Sequence, residues 1–198
     1  MTVRRFAYVS LVVAVIALAV VVVKRTVVAT VPVTTAAMSP TLEAGDVVAA
    51  QRGMSVGKVK RGDIVVVRVA SSSDVEGPAM FPRSGGDLVL RRVVGLPNEG
   101  IEVNQSGVRV VSQKSGSFRT LAEPYVETPG GALLSYTEIS DDQFVVLSDQ
   151  RLGSESSGSL EDVRAQGVIP VRAVVGVVRW QVWPLSDVRA LRMAGVDR

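Results

Sequence analysis

The sequence predicts a mainly β protein, a coiled antiparallel sheet pair or small barrel, carried behind one N-terminal membrane-spanning helix. Three observations predict it. Eighteen uncharged residues, Phe6 to Val23, lie between Arg4, Arg5 and Lys24, Arg25. Beyond residue 30, short Val-rich runs alternate with pairs of turn-forming residues. Helical periodicity of apolar residues is scarce along that stretch.

The apolar segment comes first. As a helix it reaches about 27 Å, close to the thickness of a bilayer's hydrocarbon core. A removable leader has a shorter apolar region and a small-residue cleavage site directly after it. Here two cations follow, and Val27 to Val33 continues apolar. An uncleaved anchor is expected, with residues 1–29 as tail and anchor and 30–198 as ectodomain. Basic residues flank both ends, so the orientation rests on the very short N-terminus, which is placed inside.

The ectodomain reads as strands at Val47 to Ala50, Ile64 to Val69, Leu88 to Val94, Ile101 to Val103, Val108 to Val111, Phe144 to Leu147 and Ala173 to Val182. Between them lie Gly45-Asp46, Gly62-Asp63, Gly85-Gly86, Pro97-Asn98, Ser106-Gly107 and Pro129-Gly130-Gly131. Two polar stretches rich in Ser and Gly, Ser71 to Gly86 and Leu152 to Gly167, read as surface loops.

Composition removes whole classes of chemistry. The 198 residues include neither Cys nor His, so a Ser-His-Asp triad, a Cys-His dyad, a His-ligated zinc site and a disulfide framework are excluded. The balance of 22 basic to 19 acidic residues gives a formal charge of only +3, weak support for a nucleic-acid partner, and none is expected. Catalysis, if any, must use Ser, Thr, Lys, Asp or Glu. No metal or cofactor is expected.

Ala37-Met38-Ser39-Pro40-Thr41-Leu42-Glu43-Ala44-Gly45-Asp46 is similar to the Ser-Met-x-Pro-Thr-Leu-x-x-Gly-Asp segment of the type I signal peptidases, membrane-anchored serine proteases that remove leader peptides from exported proteins, and further segments follow in that family's order. Arg61-Gly62-Asp63-Ile64-Val65-Val66 resembles a second. Arg91-Arg92-Val93-Val94-Gly95-Leu96-Pro97-Asn98-Glu99 resembles a Lys-Arg-x-x-Gly-Leu-Pro-Gly-Asp segment, and Glu123-Pro124-Tyr125 recurs in the same relative place. Ser148-Asp149-Gln150-Arg151 with Ser154 resembles Gly-Asp-Asn-Arg-x-x-Ser, and Trp183-Pro184-Leu185 follows near the end. The resemblance implies a mainly β catalytic domain on the outer face of the plasma membrane, held by a single span.

In that family a Ser hydroxyl attacks the scissile carbonyl while a neutral Lys takes its proton, a dyad that needs no His. The nucleophile's position falls at Ala37 and the base's at Arg91. A methyl group cannot attack, and a guanidinium with a pKa above about 12 does not serve as a base near neutrality. Ser39 is two residues away, about 7 Å along a strand, too far to take over. Thr35 falls where the family carries a hydroxyl serving the oxyanion hole; it reads equally as a plain strand threonine. Ser154 matches the serine that orients the Lys; here it meets Arg91 or simply solvates a Ser-rich loop. Ser148 replaces a glycine and is expected to crowd the approach to the site. Ser154-Glu155-Ser156-Ser157-Gly158 departs from the family's Ser-x-Asp-Ser-Arg. Asn98-Glu99 replaces Gly-Asp, and since Asn tolerates positive φ the turn is expected to survive.

By the same resemblance leader peptides lie extended beside the nucleophile, their small side chains in shallow apolar pockets lined by Val33, Met38, Leu42, Val89 and Leu90. Ordinary β core explains those residues equally well. Trp180 and Trp183 fit either the bilayer interface or the core. Arg68, Arg83, Arg92, Arg172 and Arg179 fit either contact with anionic lipid heads or a solvated face. The expectation is a signal-peptidase-like membrane protein without catalysis, which binds exported preproteins or their signal peptides and touches the bilayer. Two rivals stand beside it: a working peptidase using an unusual nucleophile, and a tethered structural β-domain. The sequence does not fix an oligomeric state.

Overall fold

The computed structural model describes residues 8, 10–15, 29–53, 56–69, 87–104, 106–112, 116–127, 134–136, 138–151 and 167–191. Residues 10–15 are helical and exposed, and most of the expected span lies outside the described residues. Among the described residues no helix is long and apolar enough to cross a membrane. Ser154, Arg83, Ser71 to Gly86 and Leu152 to Gln166 also lie outside them.

The described residues from 29 onward are built mainly from two antiparallel sheets. The larger contains β1 (Thr30–Pro32), β2 (Val47–Arg52), β3 (Ile64–Val69), β4 (Asp87–Gly95), β9 (Gln143–Leu147), β10 (Gly167–Pro170), β11 (Val174–Trp183) and β12 (Arg189–Ala190). Its order is β1-β2-β11-β3-β4-β9-β10, with β12 also paired to β11. The smaller has the order β7-β6-β5-β8, made from β5 (Glu99–Asn104), β6 (Gly107–Ser112), β7 (Phe118–Thr120) and β8 (Leu134–Tyr136). All seven expected strands are present. Five short ones, β1, β7, β8, β10 and β12, were not legible, because two to four residues carry too little alternation to read.

Val-rich strands form here because both faces of the large sheet find apolar partners. Val65, Val67 and Val69 of β3 pack with Val93, Phe144, Val146, Ile169 and Val177. Ile64 and Val66, on the opposite face, pack with Val31, Val33, Met38, Leu42, Val48 and Leu90. The small sheet closes a third cluster around Ile101, Val103, Val108, Ile139 and Val145.

Two glycines are required by close approach. A Cβ on Gly95, where β4 passes between the sheets, would sit 2.7 Å from Ile139 Cδ1 and 2.9 Å from Val145 Cβ. One on Gly176 would meet the Gln51 carbonyl oxygen at 2.7 Å, and here the β11–β3 register shifts. Asn98 sits at φ 63°, so the Pro97-Asn98 turn survives the loss of glycine as expected.

Candidate functional site

The corner around Ala37 is set by hydrogen bonds that do not involve its side chain. Residues Ala36–Met38 form a single 3-10 turn, with Thr35 as its N-cap and Oγ1 accepting the Ala37 N–H at 3.4 Å. The Ala37 carbonyl accepts both Asp149 N and Gln150 N at 3.0 Å. Ala37 and Met38 are buried, and Leu42 N closes the segment onto Met38 O at 2.9 Å.

This turn corrects the strand geometry assumed for Ser39. At three residues per turn, positions 37 and 39 point about 240° apart. Ser39 caps the turn, its N–H donating to the Ala36 carbonyl.

Beside this corner lies a lattice of buried charges. Arg92 is 3% exposed and forms a two-pronged pair with Asp149, Nε to Oδ1 at 2.7 Å and Nη2 to Oδ2 at 2.5 Å. Its Nη1 donates to Gly62 O at 2.8 Å, and its guanidinium lies 3.9 Å from the centre of the Tyr125 ring. Thr41 Oγ1 donates to Asp149 Oδ2 at 2.6 Å and accepts from Arg92 Nη2 at 3.1 Å. Tyr125 Oη donates to Glu123 Oε1 at 2.9 Å; the same carboxylate takes Arg151 Nη2, whose Nε reaches Ser148 O at 2.7 Å. Arg61 donates to Val94 O and pairs with Glu99, which also accepts Leu96 N. Burial, reinforced by the Glu123 carboxylate and opposed by Arg92, pushes the Tyr125 phenol well above its ordinary range.

Four expectations change here. Arg92 faces neither lipid nor solvent, because Asp149 and Gly62 hold it inside. Arg179, half-buried, is tied to Asp63 at 3.0 Å. Ser148 does not crowd the approach: wholly buried, its Oγ turns back to donate to Gln150 O at 3.1 Å. Trp180 and Trp183 are 43% and 51% exposed, which removes the core reading for both; Leu185 and Val188 are exposed beside them.

Arg91 is wholly buried on β4, opposite Val65 of β3, and its Nη1 donates to Leu90 O at 2.7 Å. Val33, Thr35, Met38, Val89 and Leu90, with Pro32, Thr34 and Leu88, border one narrow cleft of about 20 Å³ between β1 and β4. Leu42 is wholly buried in the cluster that also holds Met38 and Leu90, rather than at the cleft.

The family described as Signal peptidase, peptidase S26, matches residues 5–183. The chain belongs to that family. It is 26% identical over 150 residues to "Signal peptidase I" of Leptolyngbya laminosa, a match covering 75% of this chain and 66% of that protein. "Probable signal peptidase I-2" of Synechocystis is 27% identical over 155 residues, covering 78% of this chain and 62% of its own length. The chain thus spans just under two thirds of these relatives. The crystal structure of a signal peptidase I from Enterococcus faecalis aligns with 21% identity and a TM-score of 0.33, over 62% of this chain and 98% of that one.

The lattice is what sequence reasoning missed, yet its signal was present. Two arginines stand inside the apolar run Leu88 to Val94, and an aspartate closely follows Phe144 to Leu147. Charges within strands buried on both faces must find partners.

Proposed function

We propose that the chain is a catalytically silent signal peptidase homologue that holds extended leader segments of exported preproteins in the cleft between β1 and β4. The observation that carries this reading is Ala37: a methyl-bearing residue occupies the corner where the family's attacking hydroxyl belongs, on a backbone otherwise fully hydrogen-bonded. Arg91 supports it, since a guanidinium does not accept a proton from a hydroxyl at neutral pH. Thr35, at the family's oxyanion position, keeps its hydroxyl beside the Ala37 N–H. Ser154 keeps its matching place in the sequence.

Residues 1–29 serve as tail and plasma-membrane anchor in this reading, with 30–198 as an extracytoplasmic ectodomain. The exposed group of Trp180, Trp183, Leu185 and Val188 supports placement of the ectodomain near lipid headgroups.

The test is incubation of the detergent-solubilised full chain with an exported precursor. The expected result is binding without cleavage, and cleavage on introducing Ala37→Ser together with Arg91→Lys. Robust cleavage by the unaltered chain overturns the silent-enzyme reading. If that cleavage disappeared in Ser39→Ala, Ser39 would be the nucleophile. No leader binding at millimolar peptide would leave a tethered β-domain.

A further inference from the structure

On one face of the small sheet the apolar core stops short of the sheet's end. Glu99 pairs with Ser112, whose N–H donates to Ser117 O at 2.9 Å, so positions 99, 112 and 117 form one row across the strands. The next row on the same face is Ile101, Val110 and Arg119. Ile101 and Val110 belong to the buried cluster around Ile139; one row further on, the side chains are polar. Over that polar row, walled by Pro97 and Asn98, lies a cavity of about 740 Å³. Its volume falls in the range of small-ligand sites, and it shares no lining residue with the cleft between β1 and β4.

The wall is fixed before any ligand arrives. Asn98, at φ 63°, donates its N–H to Ile139 O at 2.8 Å, and Ile139 N donates to Glu99 O at 2.9 Å. The Glu99 carboxylate takes Arg61 on one oxygen and Leu96 N, at 2.9 Å, on the other. A carboxylate has about four acceptor sites, so capacity for further donors remains. Its charge is answered by Arg61. Ser117 and Arg119 border the cavity but are themselves tied within the protein, so recognition rests on Asn98, Glu99 and Ser112.

We infer that this cavity binds a neutral saccharide, a free disaccharide or the same unit within a glycan chain. An acceptor, Glu99, stands beside two groups that both donate and accept, Asn98 and Ser112. That mix suits hydroxyls, each of which donates one bond and accepts others. A phosphate would meet the Glu99 carboxylate, and an ammonium would find that charge already paired with Arg61. An extended peptide binds through main-chain partners, but β6 is paired on both edges, to β5 and to β7, so the floor has none to give. Pro97 and Val110 offer apolar surface to the C–H faces of a sugar ring. The site stands apart from the leader-binding reading, and nothing in it depends on the cleft.

The probes are cellobiose, maltose, mannobiose and N,N′-diacetylchitobiose, each titrated into the full chain in a detergent without a sugar headgroup and followed by saturation transfer from protein to ligand. At least one is expected to bind in the millimolar range or tighter, the scale of a few neutral hydrogen bonds. Neither inorganic phosphate nor hexa-alanine should displace it. Asn98→Gly keeps the positive φ and removes the carboxamide, and should weaken binding about fivefold. Ser112→Tyr fills the cavity and should abolish the signal; if it does not fold, Asn98→Gly still decides. Both variants should leave leader-peptide binding unchanged. Retention on chitin or cellulose tells a glycan chain from a free disaccharide as the source, and either result supports the inference. Failure of all the disaccharides to bind, displacement by phosphate or hexa-alanine, or binding indifferent to Asn98→Gly overturns it and leaves the leader-binding reading untouched.

Discussion

The charge lattice around Arg92 and the turn at Ala37 are joined through Asp149, yet they carry different kinds of residue. In the lattice, side chains from the family's sequence segments have structural partners: Thr41 with Asp149, Arg92 with Asp149 and Gly62, Tyr125 with Glu123, Arg151 with Ser148. At the turn the backbone is fixed by Asp149 and Gln150, and the side chain of Ala37 contributes no bond. The signature segments therefore report mainly on a scaffold of buried ions. In the proposed reading the family's chemistry belongs to two further positions, Ala37 and Arg91. Family membership and reactivity are separable for a physical reason.

The contrast can be broken most forcefully at Asp149. Asp149→Asn leaves Arg92 buried without its counter-charge and should cost about 3–5 kcal/mol, read as a fall in the urea midpoint of unfolding. A loss under about 1 kcal/mol would show that the lattice is not the scaffold. Next, Gly95→Ala forces a methyl against Ile139 and Val145 and should cost about 1–3 kcal/mol in the same measurement. Tyr125→Phe should cost about 1 kcal/mol near neutrality by deleting the bond to Glu123.

Its pH dependence sharpens the comparison. The folded phenol is held above its ordinary value near 10, so the unfolded chain ionises first. The contribution of Tyr125 is complete below pH about 10 and is lost as pH rises beyond it, a fall in melting temperature that Tyr125→Phe should not show. The smallest effect belongs to Ala37→Ser, about 1 kcal/mol or less, because the turn is already held by its backbone and only the burial of one hydroxyl is added. A cost of several kcal/mol would mean that the corner has repacked around the methyl.

The longer strands were legible because runs such as Ile64 to Val69 and Phe144 to Leu147 combine β-branched residues with burial on both faces. The 3-10 turn at Ala36–Met38 was not: two alanines and a methionine after three β-branched residues carry no turn signal, and the turn exists because Asp149 and Gln150, over a hundred residues on, seize its carbonyl. Arg92 was misread as a surface cation because its partners lie on other strands. Leu42 was placed at the cleft by the resemblance, with ordinary β core as an equal alternative, and apolarity does not separate a lining residue from one beneath it.

One feature, the double acceptance of amide hydrogens by the carbonyl of Ala37, reaches beyond stability. It makes the posture of that residue independent of what hangs from its α-carbon. In the proposed reading, two codons are all that separate a clasp from a cutting tool, and the handle stays as it is folded.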